Sequence, residues 1–127
     1  MPRKRSNRQG KLFAAKLLFQ WRVIVDGVSS KRRTCEERII HIRAHSARSA
    51  LRKAIKKGRS GEFDYSNNEG NPVFFEFIGV LDLLSLGIEC EAGEVWYEIK
   101  EMLTPMERKD AIVPPEHTLT AIQLRGV

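Results

Sequence analysis

A chain of 127 residues, 42% hydrophobic and 30% charged, has the size and make-up of one globular domain, which excludes general disorder and a multidomain architecture. Apolar runs such as Val73 to Phe75 and Val80-Leu81 fall far short of the roughly 20 residues of a membrane span. The net charge of +6 is polarised, with 18 Lys/Arg against three acids in residues 1–59 (+15) and 4 against 13 in residues 60–127 (−9), as for a nucleic-acid face, an arm meeting an acidic partner, or two halves that pair on the fold's surface.

Residues 1–10 hold nothing apolar after Met1 and Pro2, so their ordering would go uncompensated, and a flexible basic arm is predicted ahead of a single domain over 11–127. The start Met1-Pro2-Arg3-Lys4-Arg5 lacks the apolar stretch of a signal peptide. A cytoplasmic protein with Cys35 and Cys90 as reduced thiols is expected.

From Lys11 onward, Phe13, Ala15, Leu17, Phe19, Trp21, Val23 and Val25 share one parity, which predicts a long strand with its odd face on the core. Its even face is also partly apolar and calls for partial cover. Asp26-Gly27 starts a turn, and Val28 to Arg33 reads as a solvated hairpin loop of more than two residues. Thr34 to Ala44 returns as a second strand, with Ile40, Ile42 and Ala44 on one side.

Ser46 stands before Ala47, Ala50, Leu51, Ala54 and Ile55, whose spacing of three and four makes one helical stripe. Ser46 suits the N-cap, and Gly58 suits a left-handed stop. Arg59 to Asn71 reads as a loop with Phe63 and Tyr65 as anchors. Val73 to Leu83 follows as a third strand, in which Gly79 marks a bulge or a close backbone approach. After a turn at Ala92-Gly93, Val95, Tyr97 and Ile99 alternate in a fourth.

Thr104-Pro105-Met106-Glu107 fits the reciprocal capping pattern of a short helix ending near Ile112. Leu119 to Leu124 then reads as a late strand or extended arm, so 103–127 is helix plus extended tail. The expected fold is α+β: a mainly antiparallel four- or five-stranded sheet in hairpin-helix-hairpin order, one helix packed on a face, and a short C-terminal helix.

Candidate chemistry is sparse. Cys35, His41, His45, Cys90 and His117 could ligate metal only if brought together, and His41 and His45 lie about 13 Å apart at roughly 3.3 Å per strand residue. No metal site and no cofactor are expected. Glu36, Glu37, Glu76, Asp82 and Glu98 sit on predicted strands and would serve a hydrolase or nuclease if they converged. Glu36 and Glu37 equally suit ion pairs with Lys16 and Arg22 across the first hairpin. With no GxSxG, phosphate loop or Ser/His/Asp set, no catalytic residue is assigned.

Phosphate contacts could come from Arg3, Lys4, Arg5, Arg8 and Lys11 of the arm together with Arg48, Arg52, Lys56 and Arg59, giving salt-dependent binding without sequence readout. The aromatic residues that might stack on bases occupy parities the core needs. Trp96, opposite in parity to Val95, Tyr97 and Ile99, is a candidate contact for a protein partner.

Ala15-Lys16-Leu17-Leu18-Phe19, then Glu36-Glu37-Arg38-Ile39-Ile40 with Arg43-Ala44, the alanine-spaced helix, Phe77-Ile78-Gly79-Val80-Leu81-Asp82-Leu83 and Glu94-Val95-Trp96-Tyr97 occur in an order that resembles a small bacterial family catalogued as domain of unknown function 4288. The resemblance spans residues 12 to 100, leaving arm and tail outside. It carries no activity, cofactor or catalytic residue. It implies a bacterial, stand-alone, cytoplasmic protein, of a kind that often serves as an accessory or immunity-like binder. Its polar or amphipathic motif positions, Glu36, Glu37, Arg38, Asp82 and Trp96, are the candidate partner-binding residues.

The leading expectation is a non-catalytic module that binds a protein partner, or a second copy through the half-apolar first strand. A nucleic-acid-binding protein using the arm and basic helix is the alternative. A hydrolase or nuclease comes third and requires Glu36, Glu37 and Asp82 in one cleft.

Overall fold

The computed structural model describes residues 10–87 and 94–125, with backbone alone at 87, 94–98, 124 and 125. The arm with Arg3, Lys4, Arg5 and Arg8, and the Ala92-Gly93 turn, lie outside the described residues. In chain order the elements are β1 (Lys11–Val25), β2 (Val28–Ser29), β3 (Arg32–Ala44), α1 (Ala47–Ser60), β4 (Phe63–Ser66), β5 (Pro72–Gly87), β6 (Glu94–Leu103), α2 (Lys109–Ile112), a 3-10 turn (Glu116–Thr118) and α3 (Thr120–Arg125). The strands form one antiparallel sheet in the order β4-β5-β1-β3-β6, with β2 paired to β1. The α+β class, the antiparallel sheet and the packed helix match the expectation. Among the described residues the strands number six, against the four or five expected.

β1 is central because both of its faces are apolar. Its odd residues Phe13, Ala15, Leu17 and Phe19 join Ile40, Ile42 and Ala44 of β3, Phe75, Phe77, Val80 and Leu83 of β5, and the alanine stripe of α1 in the main core. On the even side, Leu18 meets Cys35 and Ile78 under a cover of Leu81, Met102, Met106, Ile112 and Val113. The anticipated cover is thus the C-terminal segment. That segment then passes the β5 backbone at Gly79 and delivers Leu119, Ala121 and Ile122 to the main core.

Several local expectations are corrected. Asp26 and Gly27 both take positive φ (52° and 78°), the requirement of a two-residue primed turn, so Val28 and Ser29 pair back onto β1 at once instead of forming a long loop. Arg33, expected in that loop, is buried on β3. The second hairpin is β4 with β5. The strand predicted as fourth, β6, crosses to the far edge and pairs with β3. Phe63 and Tyr65 are therefore strand residues, in a run too short to stand out among Gly, Ser and Asn.

Ser46 caps α1 as expected, its Oγ accepting from Ser49 N at 3.1 Å. Gly58, however, lies within the helix, which ends before Gly61. A Cβ at Gly58 would sit 2.8 Å from Cγ of Phe77 and closer still to the ring edge. Glycine is there for close packing. At Gly79 the anticipated bulge occurs, with pairing stepping from Leu18↔Gly79 to Phe19↔Phe77, and what approaches closely is the Val113 side chain, whose Cγ2 would lie 2.6 Å from an added Cβ.

The capping box at Thr104 does not form. Thr104 adopts φ 39°, its N–H donates to the Lys31 carbonyl at 2.6 Å, the Glu107 carboxylate is engaged by Arg33, and the helix begins only at Lys109. The late strand is instead the 3-10 turn and α3. Among the described residues, no helix is long and apolar enough to cross a membrane.

Candidate functional site

Element lengths leave part of the sheet bare. α1, at 14 residues, is about 21 Å long at 1.5 Å per residue, whereas the 16 residues of β5 reach about 50 Å at roughly 3.3 Å each. α1 and the C-terminal segment cover the half of the main-core face that contains Phe13 to Phe19. Among the described residues no helix lies over the other half, where Phe63, Tyr65 and Ile99 reach solvent while Val73 and Phe75 stay buried.

On that half an aromatic ladder leads out of the core. Phe19 stacks on Phe75 at 4.8 Å between centroids, Phe75 on Phe63 at 4.9 Å, and Trp21 leans on Phe75 at 4.6 Å. Phe63, Tyr65 and Ile99 remain 52%, 48% and 50% exposed. Between them is a shallow depression of about 340 Å³ lined by Trp21, Val23, Thr34, Tyr65, Asn67, Val73 and Ile99. These solvent-facing apolar groups are continuous with the core and form a contiguous patch, unlike the singly scattered apolar residues of an ordinary surface.

Charges beside the patch cancel locally. Arg32 pairs with Glu101 at 3.6 Å. Glu36 accepts from Arg38 Nε at 2.6 Å, and the Arg38 guanidinium lies 4.9 Å over the Phe19 ring. Of the five partner-binding candidates from the sequence, Glu36 and Arg38 thus come together at the boundary between covered core and open sheet.

The others lie elsewhere. Glu37, the next residue on β3, points to the opposite face, where it pairs with Lys16 at 3.7 Å and with Lys100. Asp82 accepts from Thr120 N at 2.9 Å and from Thr120 Oγ1 at 3.1 Å, so it fastens the start of α3 to β5. The Trp96 backbone pairs with Ile39, and its side chain lies outside those described. Glu36, Glu37 and Asp82 therefore share no cleft, because adjacent strand residues alternate in face. Among the described residues no three His, Cys, Asp or Glu side chains gather as metal ligands.

Arg22, expected opposite Glu36 or Glu37, instead pairs bidentately with Glu76 on β5, at 2.9 and 2.7 Å. It belongs to a polar chain, buried at Gln20 and Arg33, that no local sequence pattern announced. Gln20 Nε2 donates to Glu76 at 2.7 Å, Arg33 Nη1 donates to Gln20 Oε1 at 3.0 Å, and Arg33 binds Glu107 through two bonds of 2.8 Å. The chain crosses β5, β1 and β3 and fixes the turn at 104–107 to the sheet.

Hydrogen bonds from Arg22 hold the Glu76 carboxyl below its ordinary range, and those from Arg33 do the same for Glu107. Such depressed carboxyls stabilise the fold above the unfolded value of about 4.3, and the contribution is lost as pH falls through the folded values. Urea midpoints between pH 6 and 3 should therefore fall more steeply for the natural chain than for Glu76→Gln. Equal slopes would show that the Arg22 pair contributes nothing.

A second depression, about 440 Å³, lies between α1, β5 and the C-terminal segment. Leu51, Ile55, Val113 and Leu119 line it, with Arg59, Lys109, Asp110 and Glu116 around it. Cys35 is a buried free thiol whose pKa is pushed up by burial, the opposite of what a reactive cysteine needs.

No curated protein and no solved structure matches the chain. The family model described as Domain of unknown function (DUF4288) matches residues 12–95, more than half of the sequence, from the second residue of β1 to the start of β6. By that match the chain belongs to the DUF4288 family.

Proposed function

We propose that this protein is a non-catalytic binding module that holds a protein partner on the uncovered half of its sheet. One observation carries the reading: the apolar surface running from Phe63 and Tyr65 through Trp21 and Val23 to Ile99, with half of each outer side chain in water. Burying a large apolar side chain is worth about 1.5–3 kcal/mol, and aromatic residues dominate interface energetics.

The neighbouring charges already pair with one another, so the surface selects an apolar, nearly neutral partner over a charged one. A second copy of the chain has such a surface, as would the target of an accessory or immunity-like protein. A bacterial cytoplasm suits this role, since a reducing compartment keeps Cys35 as the thiol that its packing against Leu18 and Ile78 requires.

The test pairs Tyr65→Lys with Ile99→Lys. Light scattering on the pure chain and affinity capture from a bacterial lysate should reveal one association, with itself or with one other protein, that the double variant weakens at least tenfold, or about 1.4 kcal/mol. Asp110→Lys, away from the patch, should leave it intact, and the melting temperature of each variant checks the fold. An association indifferent to the patch, or none at all, would remove the basis for this function.

A further inference from the structure

We infer that the solvent face of α1 is a second interaction surface, shaped for the phosphate backbone of a nucleic-acid duplex. It is separate from the open half of the sheet and does not depend on that reading. The 14 residues of α1 include Arg48, Arg52, Lys53, Lys56, Lys57 and Arg59 and no acid, and all six cations are exposed. The buried stripe Ala47, Ala50, Leu51 and Ala54 fixes them on a rigid support.

Among the described residues, most of the cations on β1 and β3 are neutralised within the fold. Lys16, Arg22, Arg32, Arg33 and Arg38 each meet a carboxylate. On α1 only Arg48 does, with Glu116, while Lys53 reaches the carbonyl of Arg43. Among the described residues, Arg52, Lys56, Lys57 and Arg59 have no carboxylate within ion-pair distance. Among the described residues, cations without a carboxylate partner are therefore densest on this helix.

The helix dipole accounts for part of this, since it favours Lys57 and Arg59 in the last turn. It does not account for Arg48 and Arg52 in the first half, or for a first turn without an acid. Arg52 with Lys56, and Lys53 with Lys57, are like-charged pairs four residues apart, an arrangement that destabilises a helix. A polyanion laid along the row would relieve that repulsion.

The chemistry of the face selects the partner. Arg48, Arg52 and Lys56 form a row at a spacing of about 6 Å, four residues at 1.5 Å each, a regular array suited to a regular polyanion. The face has no apolar side chain to enter a bilayer, which a membrane-surface helix needs. It has no aromatic ring either, so stacking on single-stranded bases is unavailable, and contacts to backbone phosphates carry no sequence preference.

Fluorescence anisotropy with a labelled 20-base-pair DNA duplex and a matching RNA duplex tests this. The full chain should bind at least one of them at 50 mM salt, with affinity falling as salt rises at a log–log slope of about −4 for four to five phosphate contacts. Arg52→Glu with Lys56→Glu, both exposed, should weaken binding at least tenfold and flatten the slope, while circular dichroism melts remain those of a folded protein. No duplex binding at 50 mM salt, equal binding by the double variant, or capture by anionic-lipid vesicles but not by duplex would overturn the inference.

Discussion

Replacing Glu107 by alanine should destabilise the fold by about 2 kcal/mol, well above the 0–1 kcal/mol of an exposed ion pair. The reason lies in the partner's burial. The Glu107 side chain is 55% exposed, but that of Arg33 is 1% exposed. Without the carboxylate, Arg33 keeps only Gln20 Oε1 and the Ser30 carbonyl as acceptors, and its charge stays uncompensated inside the protein. Breaking a fully buried pair costs about 3–5 kcal/mol. Water reaching the Glu107 side reduces that.

Two comparisons isolate the cause. Glu101→Ala, which breaks the doubly exposed pair with Arg32, should shift stability by no more than about 0.5 kcal/mol. Arg33→Met in the Glu107→Ala background should recover most of the loss, because no buried charge then remains. Urea unfolding measures all three. Equal effects at Glu107 and Glu101 would mean that the burial of Arg33 is irrelevant.

A leucine at Gly58 should cost about 3 kcal/mol, although glycine in a helix interior is normally about 1 kcal/mol worse than alanine. Even the first added carbon overlaps the Phe77 ring, and overpacking a tight core costs about 1–3 kcal/mol or more. Phe77 also sits 5.6 Å from Phe19, at the inner end of the ladder that reaches Phe63. Displacing it should disturb the open patch as well as the core. Phe77→Leu in the same chain should restore part of the stability, as seen by thermal melting. A Gly58→Leu protein as stable as the natural one would show that the helix and β5 are not in close contact.

The parts of this fold that were legible in the sequence are those with a sustained period. The odd-numbered apolar residues of β1, the Ile40, Ile42 and Ala44 side of β3, and the alanine stripe of α1 each repeat often enough to specify both an element and its buried side. β4 failed the same reading because Phe63 and Tyr65 offer one alternation within a polar stretch. α3 failed because Leu119 and Ile122, three apart, were read as extended. The crossing of β6 to the far edge follows from which strand edges remain open, which no local pattern encodes.

The candidate site was legible only in pieces. Glu36 and Arg38 stood out as polar residues on a strand, yet what brings them into one place is Phe19 beneath them. By sequence Phe63 and Tyr65 read as loop anchors and Ile99 as one side of a strand, since parity tells which side a residue takes and not whether anything covers that side. Cover depends on a helix of 14 residues lying on strands of 13–16. Likewise, the buried Gln20 and Arg33 find their carboxylate partners 56 and 74 residues further along the chain.

Placing a photo-reactive phenylalanine analogue at Tyr65, and separately at Asp110, and irradiating cells that express each chain examines the proposed surface most directly. The account predicts one discrete adduct from position 65, either a second copy or a single other protein, and none from position 110. No adduct from position 65, or the same adducts from both positions, would contradict it.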